Sequence, residues 1–257
     1  MNSEYRNRNA NEFIEKSTSH SKRILPKWVE YGGMLKPIKR NLKHHSESVY
    51  YRGSLHKFFA FLLHDAFDRV VLMDADGIPV SNLDHLFLLP MPKNVSLAAP
   101  QAYWFNDFGS DFWDGGRCPG HLTVAVASVL LLVVPSEELF LRVEKHFGTK
   151  SLQRENFDMD IINMEFTCKG EILVLPKMYG TLNSEYSAGD SLSKRVAQCK
   201  NFSQVRYMHF SADGKPWSKR REAISYRGMY PDKEVADLHI EWHKLAKEAC
   251  PLMNLGL

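Results

Sequence analysis

Apolar residues occur along this chain in short bursts separated by polar turns, and the period of each burst predicts an element. Leu55, Phe58, Phe59, Leu62 and Ala66 recur at helical spacing, with Ser54 placed to cap the start. Val70-Val71-Leu72-Met73 is an unbroken apolar run, the pattern of a buried strand, and it stops at Asp74-Ala75-Asp76-Gly77. Leu83, Leu86 and Phe87 predict a short helix after Ser81, and residues 96–99 a further strand. Residues 101–121 hold many aromatic and glycine residues without a period, as a long loop does. The run 124–134 predicts a central buried strand and falls short of the ~20 apolar residues that cross a bilayer. Pro135-Ser136-Glu137-Glu138 opens a helix with a cap and first-turn acids, which suit the positive end of the helix dipole, and Gly148 closes it. Residues 158–166 read as a helix, 172–175 as a strand, and 205–208 as a last strand running into His209. Val235, Leu238, Trp242, Leu245 and Ala246 mark the apolar face of a C-terminal helix. Strands alternating with helices predict an α/β fold with a mostly parallel sheet flanked by helices.

Residues 1–50 are polar, carry Gly32-Gly33 and show no sustained period, so three regions are expected: a poorly defined segment 1–50, one domain over 51–230, and a C-terminal helix over 231–257. A chain of 257 residues with 44% hydrophobic and 25% charged residues suits one soluble α/β domain with a tail. The net charge of +3 is too small to imply nucleic acid, and the Lys/Arg-rich stretch 22–43 reads as a solvated segment. The polar start is neither a signal peptide nor an anchor, and no membrane-spanning segment is expected in this chain. Cys118, Cys168, Cys199 and Cys250 form no CxxC pair, which argues against structural zinc; an even count permits disulfides without requiring them. Asn94-Val95-Ser96 and Asn201-Phe202-Ser203 fit the glycosylation triplet, and such triplets only permit a lumenal location.

The sharpest chemical feature is Asp74-Ala75-Asp76 at the end of an apolar strand. Ligands of α/β sheets sit beyond the carboxyl ends of strands, and residues at i and i+2 of an extended segment point the same way. Two carboxylates there can approach one hard divalent cation, which would neutralise a pyrophosphate and help it leave. The plainer reading is a polar strand-to-loop turn. His209-Phe210-Ser211-Ala212-Asp213-Gly214-Lys215-Pro216-Trp217 also follows a strand. An imidazole there can complete a manganese site, Lys215 can hold a phosphate oxygen, and Gly214 lets the backbone approach closely. A core histidine followed by a turn is the plainer alternative.

Four blocks in order carry a family resemblance. Residues 68–76 followed by Asn82-Leu83-Asp84-His85-Leu86-Phe87, then Val133-Val134-Pro135-Ser136, then Asp158-Met159-Asp160-Ile161-Ile162-Asn163, then His209-Phe210 with Lys215-Pro216-Trp217, resemble glycosyltransferase family 8, the glycogenin-like family. The likeness covers roughly residues 52–217 and is greatest to the fungal N-acetylglucosaminyltransferase-like branch. It implies a GT-A-type, Rossmann-like fold and transfer of a sugar, with retention, from a nucleotide diphosphate donor such as a UDP-sugar to a glycan or other hydroxyl acceptor. It implies Mn2+ or Mg2+ held by Asp74, Asp76 and His209, diphosphate contacts from Gly214, Lys215 and Lys57, and catalytic positions near the donor sugar for Asp158 and Asp160. A Golgi lumen location follows if the full-length protein carries an N-terminal anchor, and a cytoplasmic one otherwise.

The sequence also departs from the family. The nucleotide-binding first strand is missing before Ser54, Met159 stands where the family often has Gln, and Ala212 stands at the usual glycine. A truncated or non-catalytic remnant of the family is therefore one alternative. The other is a haloacid-dehalogenase-like phosphatase, whose strand–DxDG start residues 71–77 resemble but whose later motifs are not found. Two weaker signals remain. His239 and His243 lie four apart on a helix with no third ligand evident, so a solvated or capped face is expected. Trp104, Phe105, Phe108, Phe112 and Trp113 suit either a sugar-stacking platform or loop packing.

Overall fold

In the computed structural model, residues 54–105, 124–146, 157–186, 202–211, 215–218 and 233–249 are described. The expected segment 1–50, the glycine stop at Gly148, most of the aromatic loop, including Phe108, Phe112 and Trp113, and Gly214 lie outside them. The chain divides into two compact units, Met1–Val70 with Val134–Ile161, and Val71–Val133 with Ile162–Leu257.

In the first unit, Ser54–Asp65 form a 3-10 helix whose regular geometry breaks at Leu63 (φ −79°, ψ 16°). Its apolar stripe is buried at Phe58, Phe59 and Phe61. Phe59 stacks on Phe140 of helix α1 (Glu137–Glu144), with centroids 5.9 Å apart. The start of α1 follows from local signals: the Ser136 hydroxyl accepts from Leu139 N at 3.1 Å, with Glu137 and Glu138 in the first turn. Helix α2 (Asp158–Glu165) begins in this unit.

The strands form two small sheets. The larger has the order β1-β4-β3-β5, formed by β1 (Val70–Met73), β3 (Leu97–Pro100), β4 (Leu130–Val133) and β5 (Ile172–Leu175). The smaller has the order β2-β7-β6, formed by β2 (Gly77–Pro79), β6 (Thr181–Leu182) and β7 (Tyr207–His209). The α/β class expected from the pattern holds, but the pairing is mixed instead of mostly parallel. β3 runs parallel to β5 and antiparallel to β4; β7 runs parallel to β6 and antiparallel to β2. The chain therefore reverses direction between β3 and β4. β1 is an edge strand, so its apolar run is only half-buried and Met73 is exposed. Of the long run 124–134, only Leu130–Val133 is regular strand; Val126 makes an isolated bridge to Gln101.

Helix α3 (Lys233–Ala249) packs on the smaller sheet. Val235 and Ala236 join Ile78, Val205, Met208 and Phe210 in one buried cluster, with Leu238 and Trp242 at its margin. His239 and His243 are buried, not solvated, and the His239 ring lies 4.2 Å from that of Phe210. The helix therefore faces the sheet with Val235, Ala236, His239 and His243, and leaves the predicted core residue Leu245 exposed. Cys168 is disulfide-bonded, which the cysteine count alone did not indicate. Among the described residues no helix is long and apolar enough to cross a membrane.

Candidate functional site

The centre grows out of the β2–β7 pairing. Gly77 is registered opposite His209, so the residue before β2, Asp76, sits against the last residue of β7. His209 Nε2 lies 3.2 Å from Asp76 Oδ1 and 3.8 Å from Asp74 Oδ2. One ligand atom from each of Asp74, Asp76 and His209 falls within 4.8 Å of the other two. Lys215 Nζ donates to the second carboxylate oxygen of Asp76.

The backbone that presents the two acids is held from several sides. Asp74 N donates to Val129 O at 3.0 Å, and Phe210 N to Asp76 O at 2.8 Å. The Tyr207 hydroxyl donates to Asp74 O at 2.8 Å. Glycine at position 77 is required by this close approach: a Cβ there would meet the Tyr207 hydroxyl at 2.0 Å. Beyond His209, Ser211 N donates to Asn183 Oδ1 at 2.9 Å, which fixes the exit of the chain from β7.

Electrostatics favour an ionised Asp76. Burial pushes the Asp76 carboxyl up, but hydrogen bonds and charge from His209, then Lys215, outweigh it and hold the group well below the usual carboxylate range. Tyr207 is pushed well above the ordinary phenol value by burial and by the charges of Asp74 and Asp76, so it stays a donor. Two carboxylates and an imidazole form a donor set suited to manganese, and the His209 Nδ1 is buried without a hydrogen-bond partner. A metal-ligating imidazole commonly directs its second nitrogen to an outer partner, and that partner is lacking among the described residues. The residues present fit a divalent cation in donor type and spacing.

Lys57, Asp158 and Asp160 lie in the first unit. Lys57 Nζ is 2.5 Å from Asp158 Oδ2, both largely buried. Asp160 turns to its own helix start, where its Oδ2 accepts from Phe157 N at 3.0 Å. Burial raises the Asp160 carboxyl, the Phe157 N–H lowers it, and the neighbouring Asp158 raises it again, for a net rise. Trp104 packs edge-on against Tyr103 at 5.1 Å beside the core of the larger sheet. Two buried polar residues of the second unit were not expected. Asn163 of α2 clamps Val126, accepting from its N–H at 2.9 Å and donating to its carbonyl at 2.8 Å. Glu185 is pushed up to about 8 by burial, against the lowering effect of a backbone hydrogen bond from Leu182. Neither lies in a recognisable spacing; Asn163 ends the third block of the family resemblance.

The fold is that of GT-A glycosyltransferases, a mixed α/β arrangement with sheets flanked by helices. It overlays the apo structure of the WbbM bifunctional glycosyltransferase with a TM-score of 0.54, at 14% identity, over 79% of this chain and 38% of that one. No family model matches the sequence. The chain is 25% identical over 198 residues to glucose N-acetyltransferase 1 of Gibberella zeae, covering 73% of this chain and 39% of that protein. It is 26% identical over 168 residues to the protein of the same name from Aspergillus fumigatus, covering 59% and 39%. The chain thus spans about two fifths of the length of these curated relatives.

Proposed function

We propose that this chain carries the metal- and diphosphate-binding machinery of a retaining glycosyltransferase of the family 8 kind, which moves a sugar from a UDP-sugar to a hydroxyl acceptor. The observation that carries this reading is the convergence of Asp74, Asp76 and His209 beside Lys215 at the end of β1 and β7. In this reading Asp74, Asp76 and His209 would hold Mn2+, which would supply charge neutralisation to the departing diphosphate. Asp76 remains an anion at working pH because His209 and Lys215 outweigh its burial. Lys215 exchanges its contact with Asp76 for a phosphate oxygen and stabilises the negative charge that develops there. Lys57 and Asp158, which pair with each other in the first unit, keep the roles that the family resemblance implies for them. The acceptor hydroxyl attacks from the face the diphosphate leaves, and the leaving oxygens take its proton, so no protein base is needed.

The name of the fungal relatives speaks of acetyl transfer to glucose. We favour sugar transfer because the fold is that of glycosyltransferases and because two acids, an imidazole and a lysine together suit a metal-bound diphosphate. The test is UDP release from a panel of UDP-sugars with Mn2+, beside Asp76→Asn. Manganese-dependent release that falls by more than about 100-fold in Asp76→Asn is expected, in line with loss of a charge-stabilising group. Absence of both UDP release and calorimetric donor binding would leave a non-catalytic relative. Phosphate release from a generic phosphomonoester would point to the phosphatase alternative.

A further inference from the structure

The peptide units of the acidic turn are fixed by more than the two strands. The carbonyls of Asp74 and Asp76 are taken by Tyr207 and Phe210, both within two residues of His209 in sequence. The carbonyl between them, Ala75 O, accepts from Trp242 Nε1 at 2.9 Å. Trp242 belongs to α3, an element outside the segments that supply the acids, the imidazole and the lysine. The same indole lies 5.8 Å from Trp217, two residues beyond Lys215, and packs edge-on against His243 at 5.3 Å. It therefore meets both the acidic turn and the lysine segment. α3 is seated by Val235 and Ala236 in the buried cluster and by His239 against Phe210, so the indole is delivered from a fixed base.

We infer that Trp242 is a positioning residue of the metal centre, its N–H fixing the Ala75–Asp76 peptide within the acidic turn so that α3 sets the affinity for the cation. The physical reason is geometric. Tilting that peptide would turn the Cα–Cβ direction of Asp76 away from that of Asp74, and of the three consecutive carbonyls in this turn only Ala75 O depends on a donor from a helix. Partners behind a metal's direct ligands commonly change affinity by roughly 10–100-fold. This inference rests on the metal-binding reading above and deepens it.

The experiment measures Mn2+ binding by electron paramagnetic resonance of the free ion, at a temperature well below the melting point of every variant. Trp242→Phe keeps a ring against Trp217 and His243 and removes the donor. Leu238→Ala loosens the same helix at the margin of the cluster without touching Ala75. The expected result is about tenfold weaker Mn2+ binding in Trp242→Phe, with binding unchanged in Leu238→Ala although its melting point falls. Wild-type affinity in Trp242→Phe would overturn the inference. Equal weakening in Leu238→Ala would also overturn it, because helix docking and not the N–H would then be responsible. A wild-type chain that binds no Mn2+ would remove the metal-binding reading itself, and this inference with it.

Discussion

The chain contains the pattern Asp-x-Asp twice, and the two copies end in opposite roles. Asp74 and Asp76 lie in the tight turn between β1 and β2, and both approach His209. Asp158 and Asp160 open a helix, where residues two apart diverge around the axis. Asp158 is paired with Lys57, while Asp160 reaches back to Phe157 N, the N3-to-cap half of a capping box. The first intrahelical bond, Ile161 N to Phe157 O, marks Phe157 as the cap residue. Identical spacing therefore yields a candidate cation site in one backbone and a helix start in the other. What separates them is the conformation of the chain at the pattern.

The comparison is broken most directly by measuring metal affinity. His209→Ala should weaken Mn2+ binding by more than about 100-fold, since loss of an outer partner alone costs roughly 10–100-fold. Asp158→Asn, in the second copy, should leave Mn2+ affinity within about twofold of wild type, because its partner is a lysine and not the cluster. Titration calorimetry in the absence of any nucleotide keeps donor effects out of the reading. Comparable losses in both variants would mean that the two acidic copies serve one cation.

A second test concerns the far end of the helix that the second copy opens. Asn163 satisfies both polar groups of Val126 from within the buried second unit. Asn163→Ala would leave a buried N–H and carbonyl unpaired, at about 1–3 kcal/mol each, so a loss of about 3 kcal/mol is expected in denaturant unfolding. A loss below about 0.5 kcal/mol would show that the clamp is dispensable and that α2 has only its first turn to contribute.

Much of this contrast was legible in the sequence, and the missing part has physical causes. The strand before Asp74, the cap at Ser136 and strand β5 are written in local signals: an apolar run, a hydroxyl before two acids, a four-residue apolar burst. β2 was hidden because Gly77-Ile78-Pro79 has the composition of a turn, and its strand character comes only from pairing with β7. That same pairing brings His209 to Asp76, so the convergence depended on a contact no local period reports; the ordered family blocks supplied it. His239 and His243 read as polar because periodicity weighs an imidazole as hydrophilic, whereas ring contacts with Phe210 and Trp242 make them core. Trp242 was legible as apolar, but its N–H partner is in another element.

The smallest expected effect is at Asp160, and it separates a cap from a catalytic acid. Asp160→Ala removes the acceptor for Phe157 N and should cost about 1 kcal/mol, as loss of a helix cap does. Asp160→Asn keeps an acceptor oxygen and should recover most of that. The pH dependence sharpens the assignment. Burial, with repulsion from Asp158, raises the carboxyl in the folded chain above its usual 3.8, despite the Phe157 N–H. The folded state then holds its proton more tightly than the unfolded chain does. The associated stability is complete below the unfolded value and is lost as pH rises through the folded one. Asn carries no such proton, so Asp160→Asn should gain stability relative to wild type as pH rises from the acid range toward neutrality. Paired thermal melts at a series of pH values measure the gap. A gap that moves in the opposite direction would show that the folded chain favours the Asp160 anion, as a group kept charged for substrate would be.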